Sequence, residues 1–307
     1  MIVARHILHA LFYSTLACIL GTVVLGGEFD TCNQSGHWAL TFDDGPERGK
    51  TDQLLDTLAA ANVKATFFVL GQLIPGNEDI LKRMHSEGHD IGIHTFDHSD
   101  LATLSPDQVR NQLQQTSVLI EGATGVKPTL MRPPYGSMND VARQVCSELG
   151  LHIVLWDVDS KDYEYAAGDD NGDTGSQEML NHFGSLVGSL TSLENGHISL
   201  HHDIWGTTSF HGNELIKIVA ENGFKFATVN QCMNGISEQP TQPGKGEPLP
   251  PKNSTEIGGS VPLPPGGHGF PRYAVGPASG SLRKTDVHAN KKPVTGRCRA
   301  TVPRSVS

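Results

Sequence analysis

The chain has 307 residues, a formal net charge of −10, 37% hydrophobic residues and 18% charged ones. The charge is divided unevenly: residues 28–237 hold 29 acidic against 12 basic residues, whereas 238–307 hold 4 against 10. The acidic body excludes a nucleic-acid binder, which needs a basic face, and no apolar stretch of membrane length follows the first 27 residues.

Residues 1–27 place Arg5 before an apolar run from Ile7 to Leu25 and end in small residues. This reads as a secretory signal peptide, with an uncleaved anchor as the alternative. It predicts a protein that is secreted, extracellular or cell-wall associated, where disulfides are permitted. Trp38–Phe42 then forms a mostly apolar strand that Gly45-Pro46 cannot continue. Thr51–Ala61 sets Leu54, Leu55 and Leu58 at helical spacing, and Glu78–Ser86 does the same with Ile80, Leu81 and Met84. Between and after them, Ala65–Leu70 and Ile91–His94 read as strands. Ser105 and Gln108 form a capping box that opens a helix toward Ile120. Strands at Thr129–Arg132, His152–Trp156, His197–Leu200 and Phe226–Val229 alternate with helices at Asp140–Leu149, Ser176–Leu193 and Glu214–Glu221. The alternation predicts an α/β fold, a distorted (β/α) barrel of about seven parallel strands spanning residues 28–237.

Residues 238–307 contain 12 of the 18 prolines, in phrases such as Pro248-Leu249-Pro250-Pro251. Such a segment buries too little apolar surface to offset its ordering entropy, so it is expected to be a disordered, basic Pro/Gly-rich tail. Its charge suits an anionic wall polymer as partner. Cys18 lies in the leader, and Cys32 and Cys232 bracket the acidic domain, which favours their pairing and leaves Cys146 and Cys298. Asn33 and Asn253 head N-glycosylation sequons.

The ends of the expected strands carry Asp43-Asp44, His94, Arg132, Trp156-Asp157 and His201-His202-Asp203. In a parallel barrel these carboxyl ends share one face, where chemistry is placed. An isolated Asp-Asp-Gly is most simply a turn with solvated acids, so the pair needs partners. Among 15 histidines, three pairs are spaced by four: His85 with His89, His94 with His98, and His197 with His201. His85 and His89 flank a helix end, where a cation beside the last carbonyls is ordinary. His197 and His201 lie at opposite ends of a strand, about 13 Å apart. His94 and His98 can curl into one turn, and with a carboxylate of the first strand they make a three-ligand set with open positions, the pattern of catalytic zinc or a close relative.

In order along the chain stand TFDDGP at Thr41–Pro46, HTFDH at His94–His98, RPPYG at Arg132–Gly136, DxxD-aromatic at Asp159–Tyr163 and LxH at Leu200–His202. These five motifs resemble those of the polysaccharide deacetylases with the NodB homology domain, carbohydrate esterase family four, most of all secreted fungal-type chitin deacetylases. The resemblance implies Asp44, His94 and His98 as ligands of Zn²⁺, with Co²⁺ or another divalent transition metal possible. It implies Asp43 as general base oriented by Arg132, the Tyr135 backbone N–H as oxyanion donor, and His202 as general acid oriented by Asp162. Tyr163 stands where the family often has tryptophan, beside the acetyl pocket, and Leu200 opens the motif that ends in the acid. Trp205, just past that histidine, offers a sugar-stacking surface, whereas Trp156, His201 and Asp203 read as structural. The implied activity is deacetylation of chitin or chito-oligosaccharides by a monomer. Acetylxylan esterase and a non-catalytic wall-binding module are the alternatives. A glycosidase fits poorly, because its two carboxylates must stand about 5 Å or more apart across a sugar.

Overall fold

The computed structural model describes residues 26–166, 175–190 and 193–234. The expected tail and all but the last two residues of the leader lie outside them, as do Cys18 and Cys298. The strands are β1 Glu28–Phe29, β2 His37–Asp43, β3 Thr66–Val69, β4 Asp90–Ile93, β5 Leu130–Met131, β6 His152–Val154, β7 Val158–Asp159, β8 His197–His202 and β9 Lys225–Phe226. They form one sheet in the order β1-β6-β5-β4-β3-β2-β8-β7, with β9 also on β2, and every pairing is parallel.

The sheet curls into a distorted (β/α) barrel. Its two ends are joined by Leu155, Trp156 and Asp157. Leu155 N–H bonds the Phe29 carbonyl at 2.6 Å beside β1, and Asp157 N–H bonds the Ile198 carbonyl at 3.2 Å beside β8. The expected helices are present, with ends at Ala60, Ser86, Thr124, Glu148, Ser189 and Glu221. The capping box is formed: Ser105 Oγ accepts from Gln108 N–H and Gln108 Oε1 accepts from Ser105 N–H. No helix among the described residues is long and apolar enough to cross a membrane.

Alternation along β2 sorts the core. Leu40 and Phe42 join the large cluster under the helices, with Leu54, Leu58, Leu81 and Phe183, while Ala39 faces a smaller cluster with Phe68, Leu130, Val154 and Ile198. Thr41 and Asp43 share the Ala39 side, so the interior turns from apolar to polar toward the carboxyl ends of the strands. Cys32 and Cys232 form a disulfide with Cα atoms 4.7 Å apart, closing the domain at its amino-terminal face. Cys146 is buried and free, its thiol pushed up to about 12 by burial.

Two strands carry no sequence signal. β1 and β7 are two residues long, too short for any periodicity, and exist because β6 and β8 offer them edges. The last strand is shorter than expected, since Val229 already belongs to the helix Val229–Asn234.

Candidate active site

Asp43 is the last residue of β2 and points inward. Asp44 follows with φ 77°, a left-handed conformation that turns its side chain toward the same space instead of the opposite face. Its N–H is anchored to the Phe68 carbonyl at 3.2 Å. His94 leaves β4 with its N–H on the Val69 carbonyl at 2.9 Å. His98 reaches the site because Thr95 and His98 also take positive φ, 65° and 66°. Helix Pro106–Thr124 supports that turn: Gln112 Oε1 accepts from Phe96 N–H at 2.7 Å and Thr116 Oγ1 donates to the Thr95 carbonyl at 2.9 Å.

His94 Nε2 and His98 Nε2 each lie 3.3 Å from Asp44 Oδ1, and the three groups can offer ligand atoms all within 4.8 Å of one another. His94 Nδ1 donates to the Arg132 carbonyl at 2.9 Å, which leaves Nε2 turned to the carboxylate as the atom a metal would take. Asp44 Oδ1 is buried and has no hydrogen-bond partner. Two imidazole nitrogens and a carboxylate oxygen converging in this way are a donor set that suits a divalent transition metal. Burial works against the charge on Asp44, but the imidazole of His94 first, then those of His202 and His98, bring the carboxyl down to about 2.

Asp43 is held from behind. Arg132 is fully buried, and its Nη1 donates to Asp43 Oδ1 at 2.9 Å and to Thr41 Oγ1 at 2.6 Å. Its Nε and Nη2 donate to the Val154 and Leu155 carbonyls, and the guanidinium lies between the Phe68 and Trp156 rings. Burial lowers the Arg132 pKa, opposed by Asp43. Thr41 passes the network on by donating to the Ser199 carbonyl at 2.6 Å. Thr41 opens the first motif but has no expected role in it. The i, i+2 alternation of a strand puts it beside Asp43, and that was the available signal.

His202 ends β8. Asp162, fully buried, accepts from His202 Nδ1 and from His202 N–H, both at 2.7 Å, and from Thr208 Oγ1. Burial opposes the imidazolium, yet Asp162, then Asp43 and Asp44, raise His202 to about 10. The same pair lowers Asp162 against its own burial.

A cleft of about 420 Å³ opens over these groups. It is lined by Asp43, Asp44, His94, His98 and His202, and by Tyr135, Tyr163, Leu200 and Trp205. Arg132 and Asp162 lie behind Asp43 and His202. Trp156, read as core, does pack on Arg132 but also forms a cleft wall. Asp159, unassigned beforehand, lines the cleft too, accepting from Tyr163 Oη at 3.2 Å. Tyr135 has φ 60°, and its Oη lies 3.0 Å from His98 Nδ1.

The other histidine pairs are separated. His89 Nδ1 accepts from Ala65 N–H at 3.0 Å, and burial first of all pushes its pKa down to about 4. His197 Nδ1 bonds Asp157 Oδ2 at 2.6 Å, while His201 Nε2 bonds Ser199 Oγ at 3.1 Å and burial lowers it to about 4. Among the described residues, Asp44, His94 and His98 are the group placed to hold a metal ion.

The polysaccharide deacetylase family profile matches residues 30–154. A peptidoglycan-N-acetylglucosamine deacetylase of Listeria monocytogenes is 38% identical over 193 residues, covering 63% of this chain and 38% of that protein, so the chain spans well under half of that relative. A chitin deacetylase of Pestalotiopsis sp is 36% identical over 220 residues and 70% of each chain. The solved structure of the chitin deacetylase from the fungal pathogen Colletotrichum lindemuthianum superposes with a TM-score of 0.63 at 34% identity, covering 68% of this chain and 92% of that one. With the five motifs gathered at one barrel face and a chitin deacetylase 36% identical over 70% of its length, the chain belongs to the polysaccharide deacetylase family, carbohydrate esterase family four.

Proposed function

We propose that residues 28–237 form a metal-dependent hydrolase that removes N-acetyl groups from N-acetylglucosamine residues of chitin or chito-oligosaccharides, leaving glucosamine units and acetate. The observation that carries this reading is the position, around one cleft, of a carboxylate oriented by Arg132 on one side and an imidazole oriented by Asp162 on the other, flanking a three-ligand cation site.

Asp44, His94 and His98 would hold the cation, zinc or cobalt in kind, which would supply Lewis-acid polarisation and lower the pKa of water. Asp43, fixed by Arg132, takes the proton of the attacking water as its oxygen bonds to the acetyl carbon. The Tyr135 N–H receives the developing oxyanion. His202, kept charged by Asp162, gives its proton to the nitrogen as the C–N bond breaks, so the amine leaves neutral and acetate remains. Tyr163, Leu200 and Trp205 bound the sugar and its acetyl group.

The fungal chitin deacetylases among the relatives support chitin, peptidoglycan deacetylases match over as much of their length, and a product that becomes cationic beside an acidic domain favours an acetamido sugar over acetylxylan. Amide cleavage also gives the acid a task that an ester's easier leaving group demands less. Secretion fits the disulfide. Acetate release should be measured on chitin oligomers, peptidoglycan fragments and acetylxylan. Acetate and free amines from the chitin oligomers, without chain shortening, are expected; activity on acetylxylan alone would overturn the substrate assignment.

A further inference from the structure

Asp203 follows the proposed acid in sequence, but its side chain serves the other motif. It is 1% exposed. Its Oδ2 accepts from Thr51 Oγ1 at 2.6 Å, and Thr51 Oγ1 in turn accepts from Glu47 N–H at 2.8 Å. Its own N–H donates to the Asp43 carbonyl at 3.3 Å. Its carboxylate also occupies the space a side chain on Gly45 would need, for a Cβ there would stand 2.2 Å from Oδ2 and 2.5 Å from Oδ1. One buried residue therefore touches the start, the middle and the end of the loop that runs from β2 to the helix Thr51–Ala60.

That loop carries Asp44, a non-glycine residue at φ 77°. L residues hold such a conformation only where their surroundings over-determine it. The N–H of Asp44 on Phe68 and the Gly45 carbonyl, which accepts from Leu70 N–H at 2.9 Å, tie the loop to β3 on one side. On the other side the ties are Asp203 and Thr51. Burying a carboxylate whose Oδ1 has no hydrogen-bond partner is costly, and a purely apolar residue would fill the space more cheaply if filling were all that was required.

We propose that Asp203 and Thr51 form a clamp that keeps Asp44 in its left-handed conformation and so positions it as a cation ligand, with Gly45 as the gap into which the clamp fits. The two are positioning residues, and the proposal rests on the cation site proposed above. It also gives the glycine after the paired aspartates a reason beyond turn formation: any side chain there meets the carboxylate.

Cobalt titration of the metal-free protein tests this, because the visible absorption of Co²⁺ reports ligand geometry independently of turnover. Thr51→Val, which keeps shape and removes the hydroxyl, should weaken cobalt binding about 10- to 100-fold and alter the spectrum, in line with the loss of a group that supports a ligand. Thr51→Ser should restore both. Gly45→Ala should weaken binding by a separate route, by displacing the carboxylate. Wild-type affinity and spectrum in folded Thr51→Val, even with lowered thermal stability, would assign the pair to the fold alone and overturn the clamp. No cobalt uptake by the unaltered protein would instead defeat the cation site itself, and the clamp with it.

Discussion

Strand β8 holds a histidine near each end whose Nδ1 lies against an aspartate, His197 with Asp157 at 2.6 Å and His202 with Asp162 at 2.7 Å. At the amino end the imidazole is packed between Trp38 and Phe224, with ring centroids at 5.2 and 5.3 Å, and Asp157 spends its other oxygen on the Ile198 N–H. At the carboxyl end the imidazole borders a cleft and faces the charges of Asp43 and Asp44. The backbone differs as well: Asp44, Thr95, His98 and Tyr135 are four of the six described non-glycine residues at positive φ, each costing about 1–3 kcal/mol. A histidine–aspartate pair is therefore no signature of catalysis by itself. What the second ring nitrogen meets, and whether strain has been gathered around it, separates a packing device from a chemical one.

Removing ligands gives the largest expected contrast. His94→Ala should abolish metal retention and acetate release together, while His197→Ala should lower thermal stability and keep the metal, as read by elemental analysis of purified protein. Metal loss in both variants would end the distinction between the two ends.

Within the carboxyl end the paired aspartates should part company. Asp43→Asn should retain the metal and lose about 10²–10⁴-fold in kcat, the usual contribution of a positioned base, whereas Asp44→Asn should lose metal and turnover alike. The reverse pattern would exchange their roles.

The smallest contrast is in pH dependence. In the metal-free protein His202 is raised to about 10 against an ordinary value of 6.5, so there its charged form is lost only as pH rises through that upper value, and a cation on Asp44, one of the groups behind the rise, would bring the loss to lower pH. Stability contributed by the pair is full below the ordinary value and fades across the same window. Asp162→Asn removes the group that does most to hold the charge, so the alkaline limb of kcat/KM should move to lower pH, and the stability deficit of the variant should shrink as pH rises toward 10. Asp157→Asn should leave the limb in place. A limb unmoved by Asp162→Asn would show that His202 is not the titrating acid.

Much of this arrangement is legible along the chain because it is local. The capping box at Ser105 and Gln108, the apolar spacing of Leu54, Leu55 and Leu58, and the strand that ends at Asp43 each depend on neighbours a few residues away. The contacts that hide are those set by strand order. Thr41 meets Ser199, and Asp203 meets Thr51, because β2 lies beside β8, while Thr41 meets Arg132 because the curled sheet brings the end of β5 across from β2, and no periodicity encodes either. Strain hides for the same reason: Asp44 is readable as the residue after a strand, but its left-handed φ is imposed by ties to β3 and to Asp203.

The burial of Arg132 has its origin in a bond that is never made. β5 and β6 run in register with Leu130 opposite His152 and Met131 opposite Ile153, and the ladder is already under way where His152 N–H meets the Thr129 carbonyl. Two residues further along the same parallel pattern, the donor due at the Val154 carbonyl is the nitrogen of Pro133, which has no hydrogen to give. The ladder stops, and the carbonyl it leaves behind accepts Arg132 Nε at 3.1 Å, with Leu155 accepting Nη2 one residue on. The proline next to the arginine thus builds the arginine's receptor by silence: an unextended sheet supplies the oxygen atoms that let a guanidinium sit inside a barrel and hold a carboxylate at its mouth.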